Sequence, residues 1–155
     1  MKALVVYFSR TGNTKKVAQK IKQNLKCDIE EITDAVKRQG TMGYMKCGAH
    51  SSLKMRTRIN ATDKDPSRYD LIIIGTPVWA FNMSSPVRTY IIKNRDKFNK
   101  VAFFCTLGGK GSRKTLHDME MKCNKEPEAN LAVYEREIKE NRFADKVKKF
   151  CKMLK

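Results

Sequence analysis

No stretch of this chain comes near the ~20 consecutive apolar residues that a membrane-spanning helix needs, so no such span is expected. The opening run "MKALVVYF" is also too short for the apolar core of a signal peptide followed by a cleavage site. Cysteine is sparse and scattered. Cys27, Cys47, Cys105, Cys123 and Cys151 make an odd count with no C-x-x-C pair, which argues against a disulfide framework or a structural zinc site and fits a reducing cytoplasm. Acidic residues are scarce, 16 against 33 Lys and Arg, and leave a net charge of +17. That balance is either a solvated basic surface or a means of meeting an acidic partner: nucleic acid, an acidic protein, an anionic cofactor or a membrane surface. With two histidines, His50 and His117, placed in a basic segment and a helix pattern, the chain offers no evident acid–base pair, and both read as surface residues. Cys105 reads as a small core hydrophobe at the end of an apolar run.

At 155 residues the chain is long enough to bury a core, and it is expected to form one domain, 1–155. Three unbroken apolar runs, "ALVVYF" at 3–8, "LIIIG" at 71–75 and "VAFFC" at 101–105, suggest strands covered on both faces, as in a parallel sheet. "NLAVYE" at 130–135 is a fourth candidate. "CDIEEI" at 27–32, anchored by Ile29 and Ile32, suits an edge strand. Helical stripes lie between these runs: Val17, Ile21 and Leu25; Val87, Tyr90, Ile91 and Phe98 after a Ser85 cap and Pro86; Leu116, Met119 and Cys123; and Phe143, Val147, Phe150, Cys151 and Leu154. Strand alternating with helix predicts right-handed crossovers and an α/β sandwich of about five strands. Segment 36–68 carries eight basic and two acidic residues and is long for a connection. Met42, Met45 and Ala49 hint at one helix within it, followed by a surface loop.

Residues 9–14, "SRTGNT", fall where the first strand should end and the first helix begin. A helix N-terminus offers N–H groups and a partial positive charge to a phosphate. Gly12 allows close backbone approach, the hydroxyls of Ser9, Thr11 and Thr14 can donate, and Asn13 tolerates unusual backbone angles and can donate too. One helix cap would account for one of these residues, not for three hydroxyls and a glycine in six positions. Rival phosphate motifs are missing. G-x-x-x-x-G-K-S/T is absent, "GGKGS" at 108–112 has the wrong spacing, no G-x-G-x-x-G follows the first strand, and the first loop holds no cysteine. In such a fold, ligands sit outside the C-terminal ends of the strands, so two further loops should meet the first. "TPVWAFNMSSP" at 76–86 offers the flat faces of Trp79 and Phe81, while "TLGGKGSRKT" at 106–115 offers bare backbone. A phosphate nest, aromatic plates and a glycine-rich edge point to a phosphate-bearing planar ring, with flavin mononucleotide (FMN) as the candidate.

"SRTGNT" resembles the phosphate loop of flavodoxins, and "GTPVWAFNMSSPV" resembles the second flavin loop of a flavodoxin-like subfamily, with its Gly-Ser/Thr-Pro-Val/Ile-Trp/Tyr core. The resemblance implies a flavodoxin-like, doubly wound, five-stranded parallel sheet of order 2-1-3-4-5 that binds FMN without a covalent bond. It further implies that Ser9, Arg10, Thr11, Gly12, Asn13 and Thr14 hold the phosphate. Pro77, Val78, Trp79, Ala80, Phe81 and Asn82 would flank the isoalloxazine, and Thr106, Leu107, Gly108 and Gly109 would contact its polar edge. The chain departs from the pattern in its strong basicity and in lacking a tyrosine and acidic residues in the third loop. The implied activity is electron transfer between redox partners, with no catalytic residue or metal of the chain's own; the alternative is an NAD(P)H-dependent FMN or quinone reductase on the same fold. The expected partner is an acidic redox protein such as a ferredoxin or a flavin-reducing enzyme, met by a monomer or weak dimer. Nucleic acid is disfavoured because the aromatic interleaving of a stacking surface is missing.

Overall fold

In the computed structural model, residues 1–34 and 57–155 are described. Strand β1 (Ala3–Tyr7) lies at the heart of a parallel sheet with β2 (Asp28–Glu31) on one side and β3 (Leu71–Trp79) on the other. Beyond β3 come β5 (Lys100–Leu107) and β6 (Asn130–Tyr134), also parallel. The two-residue β4 (Asn82–Met83) turns back antiparallel on the end of β3. The path is β2-β1-β3-β5-β6, the expected 2-1-3-4-5 order once the short β4 is set aside. The extra strand has a local cause: Ala80 and Phe81 both sit at positive φ, 47° and 65°, the backbone of a tight primed hairpin turn.

The apolar runs are continuous because both faces of the sheet are covered. Val5, Ile73 and Phe104 face a core completed by α1 (Asn13–Leu25), α4 (Glu135–Lys139) and α5 (Ala144–Met153). Leu4, Val6, Ile72, Ile74 and Phe103 face the other core, closed by α2 (Ser85–Asn94) and α3 (Ser112–Cys123). Inside the sheet, Gly75 leaves room for the Phe104 ring opposite it: a Cβ built at 75 would come within 2.0 Å of Phe104 Cζ.

Several boundaries differ from the sequence pattern. β3 runs on past Gly75 to Trp79, pairing with β5 as far as Pro77 with Thr106 and with β4 at Val78 and Trp79. Ser84, not Ser85, is the N-cap of α2, with Pro86 in the first turn. Phe98 lies beyond that helix, past a short 3₁₀ turn, yet is buried and stacks on Tyr90 at 6.1 Å. The short α4 carries too few residues to show a period and was not expected. Of the basic segment 36–68, the anticipated helix with Met42, Met45 and Ala49 lies outside the described residues, as do Cys47 and His50. Its described end is tied down: Asp34 bridges Ile59, and Thr57 exchanges hydrogen bonds with the Thr89 hydroxyl, at 3.0 Å as donor and 2.7 Å as acceptor.

Candidate functional site

The loops after β1, β3 and β5 converge at the C-terminal edge of the sheet and enclose a cleft of about 570 Å³, within the range of small-molecule sites. From the first loop, Arg10, Thr11, Asn13 and Thr14 line it; from the second, Pro77 to Phe81; from the third, Thr106 to Gly109. Ser9, Gly12 and Asn82 do not line it.

The first loop is built around its glycine. Gly12 is the N-cap of α1 at φ 95°, a conformation that suits a residue without a side chain. Ser9 Oγ accepts hydrogen bonds from the N–H groups of Gly12 (3.1 Å) and Lys15 (3.2 Å), bonds that help fold the loop. No acidic residue sits in the first turn of α1 to neutralise the positive end of the helix dipole. Thr14 is buried, and its Oγ1 lies 2.7 Å from Thr106 Oγ1, joining the first loop to the third. Thr11 is exposed at the cleft mouth.

The second loop divides its aromatics between two tasks. Trp79 is only 6% exposed and packs edge-on to Phe8, with centroids 5.4 Å apart and planes at 86°. Its position is therefore fixed by the sheet beneath. Phe81 is 54% exposed at the rim. Asn82 is buried because its amide serves the turn: Nδ2 donates to Ala80 O at 2.9 Å, and Oδ1 accepts from Lys114 Nζ at 3.0 Å. Beneath the loop, Ser84 N–H donates to Thr76 Oγ1 at 2.9 Å, anchoring the start of α2.

The third loop gives open backbone. A Cβ at Gly109 would meet nothing within 4 Å, whereas one at Gly111 (φ 111°) would meet Phe81 at 3.0 Å. Two lining residues were missed by sequence reasoning, Lys110 and Glu135. Lys110 adjoins the predicted stretch. Glu135 follows β6, and no motif marked that strand end. The parallel sheet order could have found it, since β6 is the neighbour of β5.

No group of three or more potential metal ligands occurs among the described residues. Burial pushes the Cys105 thiol up to about 12, in keeping with a core residue. His117 is exposed on α3, its Nδ1 3.8 Å from Glu120, and is not part of the cleft. No helix among the described residues is long and apolar enough to cross a membrane.

The family described as Flavodoxin matches residues 2–150. No curated protein matches the sequence. Among solved structures, a flavoprotein from Lactobacillus acidophilus NCFM in complex with FMN is 23% identical with a TM-score of 0.73, covering 90% of this chain and 97% of that one. Oxidised flavodoxin 2 from Bacillus cereus is 16% identical at a TM-score of 0.64 over 99% of this chain and 97% of its own. Two-electron reduced flavodoxin from Megasphaera elsdenii is 18% identical at 0.62 over 99% of both chains. At these identities the likeness speaks for the shared fold.

Proposed function

The chain belongs to the flavodoxin family, and on that footing we propose that it binds one FMN in the cleft and carries electrons between redox proteins. The observation that carries this reading is the make-up of the cleft: a helix N-terminus with no acidic residue in its first turn, together with the rings of Trp79 and Phe81 in its lining. A phosphate set at the start of α1 would meet first-turn N–H groups and the Thr11 hydroxyl, favoured by the helix dipole. A flat ring would lie between the aromatic hairpin and the open backbone at Gly108 and Gly109. The volume and the donor set both fit FMN. When bound, FMN supplies the redox chemistry. The chain's residues place it, exclude water from one face and leave a rim for docking.

The partner in this reading is an acidic redox protein, drawn by the excess of Lys and Arg. Protein purified without added cofactor should be yellow, with one FMN per chain released on denaturation, and should not oxidise NADH or NADPH in steady state. A colourless protein that takes up no added FMN would remove the reading. Sustained NAD(P)H oxidation would replace the carrier with a reductase.

A further inference from the structure

Three contacts along the third loop set the order of what can lie in the cleft. At its start, Thr106 meets Thr14 of the α1 N-terminus at 2.7 Å. Two residues on, a Cβ at Gly108 would come within 3.1 Å of Glu135 Oε2, so the carboxylate lies against bare backbone there. At its far end, Gly111 abuts Phe81, where a Cβ would stand 3.0 Å from the ring. The loop therefore runs from the anion-binding end, past a carboxylate, to the aromatic end.

Among the described residues, Glu135 is the single acidic one lining this cleft, alongside the cationic Arg10 and Lys110. A carboxylate has acceptor sites only, so the part of a ligand that faces it must donate. In FMN, the phosphate would be repelled, and the ring carbonyls cannot donate. The donors are the ribityl hydroxyls and the ring N3–H. The middle of the third loop lies between the phosphate end and the aromatic end, where the polyol has to pass. We infer that Glu135 reads the sugar-alcohol chain of the flavin, accepting a hydrogen bond from one of its hydroxyls, and so sets which part of the ligand occupies the centre of the cleft. This rests on the FMN reading above. It adds a specificity residue outside the three loops.

The test is a set of dissociation constants, from flavin fluorescence, for FMN, riboflavin and lumiflavin, which lacks the polyol, with wild type, Glu135→Ala and Glu135→Gln. Glu135→Ala should weaken FMN and riboflavin alike, by about ten- to a hundredfold for a hydrogen bond to a charged group. Lumiflavin should bind both proteins within about twofold, which also shows that the variant's cleft is intact. Glu135→Gln keeps one carbonyl acceptor and should fall between the two. If Glu135→Ala weakens lumiflavin as much as riboflavin, the carboxylate faces the ring or only supports the fold, and the inference fails. If FMN binding is unchanged or tightens, the carboxylate is idle or repels the phosphate, and the inference fails again. Wild type that binds none of the three flavins overturns the FMN reading itself, and this inference with it.

Discussion

Thr14 Oγ1 and Thr106 Oγ1, from the first helix and the third long strand, meet at 2.7 Å in a buried position at the floor of the cleft. The sequence pattern offers Thr14 to a phosphate; in the fold its hydroxyl is engaged by a side chain far along the chain. Removing either partner leaves the other with a buried, unpaired hydroxyl, so the two substitutions should not add. Thr14→Ala and Thr106→Ala should each destabilise, and the double variant should recover a coupling of about 0.5–3 kcal/mol in urea unfolding. Strict additivity would mean that the contact carries no energy.

Thr11 differs, being exposed at the cleft mouth. Thr11→Ala should leave stability within about 0.5 kcal/mol of wild type. Its FMN affinity should drop by about 1.5–3 kcal/mol, the range for a hydrogen bond to a charged acceptor. Riboflavin, which lacks the phosphate, should bind wild type weakly and be indifferent to the substitution. Equal titration of wild type by riboflavin and FMN would show that the nest does not hold a phosphate.

Ring contact with Trp79 or Phe81 should quench flavin fluorescence on binding. Trp79 is held edge-on by Phe8, so its removal should also cost stability, whereas the exposed Phe81 should affect binding alone. A Trp79→Ala, Phe81→Ala double variant that keeps both affinity and quenching would show that neither ring touches the flavin.

Alkaline pH should unfold this protein early. Burial raises the thiols of Cys105 and Cys123 from 9.0 to about 12, and those of Cys27 and Cys151 to about 11. Burial, followed by a hydrogen bond to Asp28, raises the Tyr69 phenol from 10.0 to about 12. These groups stay protonated in the fold at a pH where the unfolded chain has released its protons. The stability they contribute is therefore complete below about pH 9 and is lost as pH climbs toward the folded values. Thermal midpoints should be level from neutrality to about pH 9 and then fall; a midpoint that held through pH 11 would contradict the burial of these groups.

Charge should govern encounters. Helix α1 and its C-cap carry Lys15, Lys16, Lys20, Lys22 and Lys26 without one acidic residue, and of these Lys15 pairs with Glu31 at 3.1 Å. The second-order rate of electron transfer to an acidic ferredoxin should fall as ionic strength rises to the physiological range, where screening sets in beyond ~8–10 Å. A rate that does not fall would leave the basic surface without a role in steering.

Much of the fold was legible because a parallel sheet covered on both faces writes itself as unbroken apolar runs, as at 3–8, 71–75 and 101–105. What was not legible depends on pairing across distance. Nothing in the local residues of "TPVW" says that β3 continues to Trp79; the partner strand decides it. Ala80 and Phe81 are poor residues for positive φ, so the hairpin and β4 carry no turn signature of the usual Asn-Gly kind. In the site, the hydroxyls and glycine of 9–14 announced a loop but not the division of labour within it, by which Ser9 folds the loop, Thr14 braces it and Thr11 faces outward. Glu135 escaped because a lone glutamate at a strand end has no motif, and only the sheet order brings it beside Gly108.

One face of the sheet has a consequence for how the molecule is made. Val5 and Ile73 belong to strands synthesised early, yet the core they face is sealed by Phe143, Val147, Phe150 and Leu154, from the far end of the chain. The opposite core, with Val87, Tyr90 and Met119, is complete as soon as α3 has emerged. A nascent chain can thus bury one side of its sheet while the part of the other that α1 does not cover stays exposed to water or to a chaperone. Docking of α5 is the step that ends this exposure, so one face of the sheet can be packed before the other is sealed.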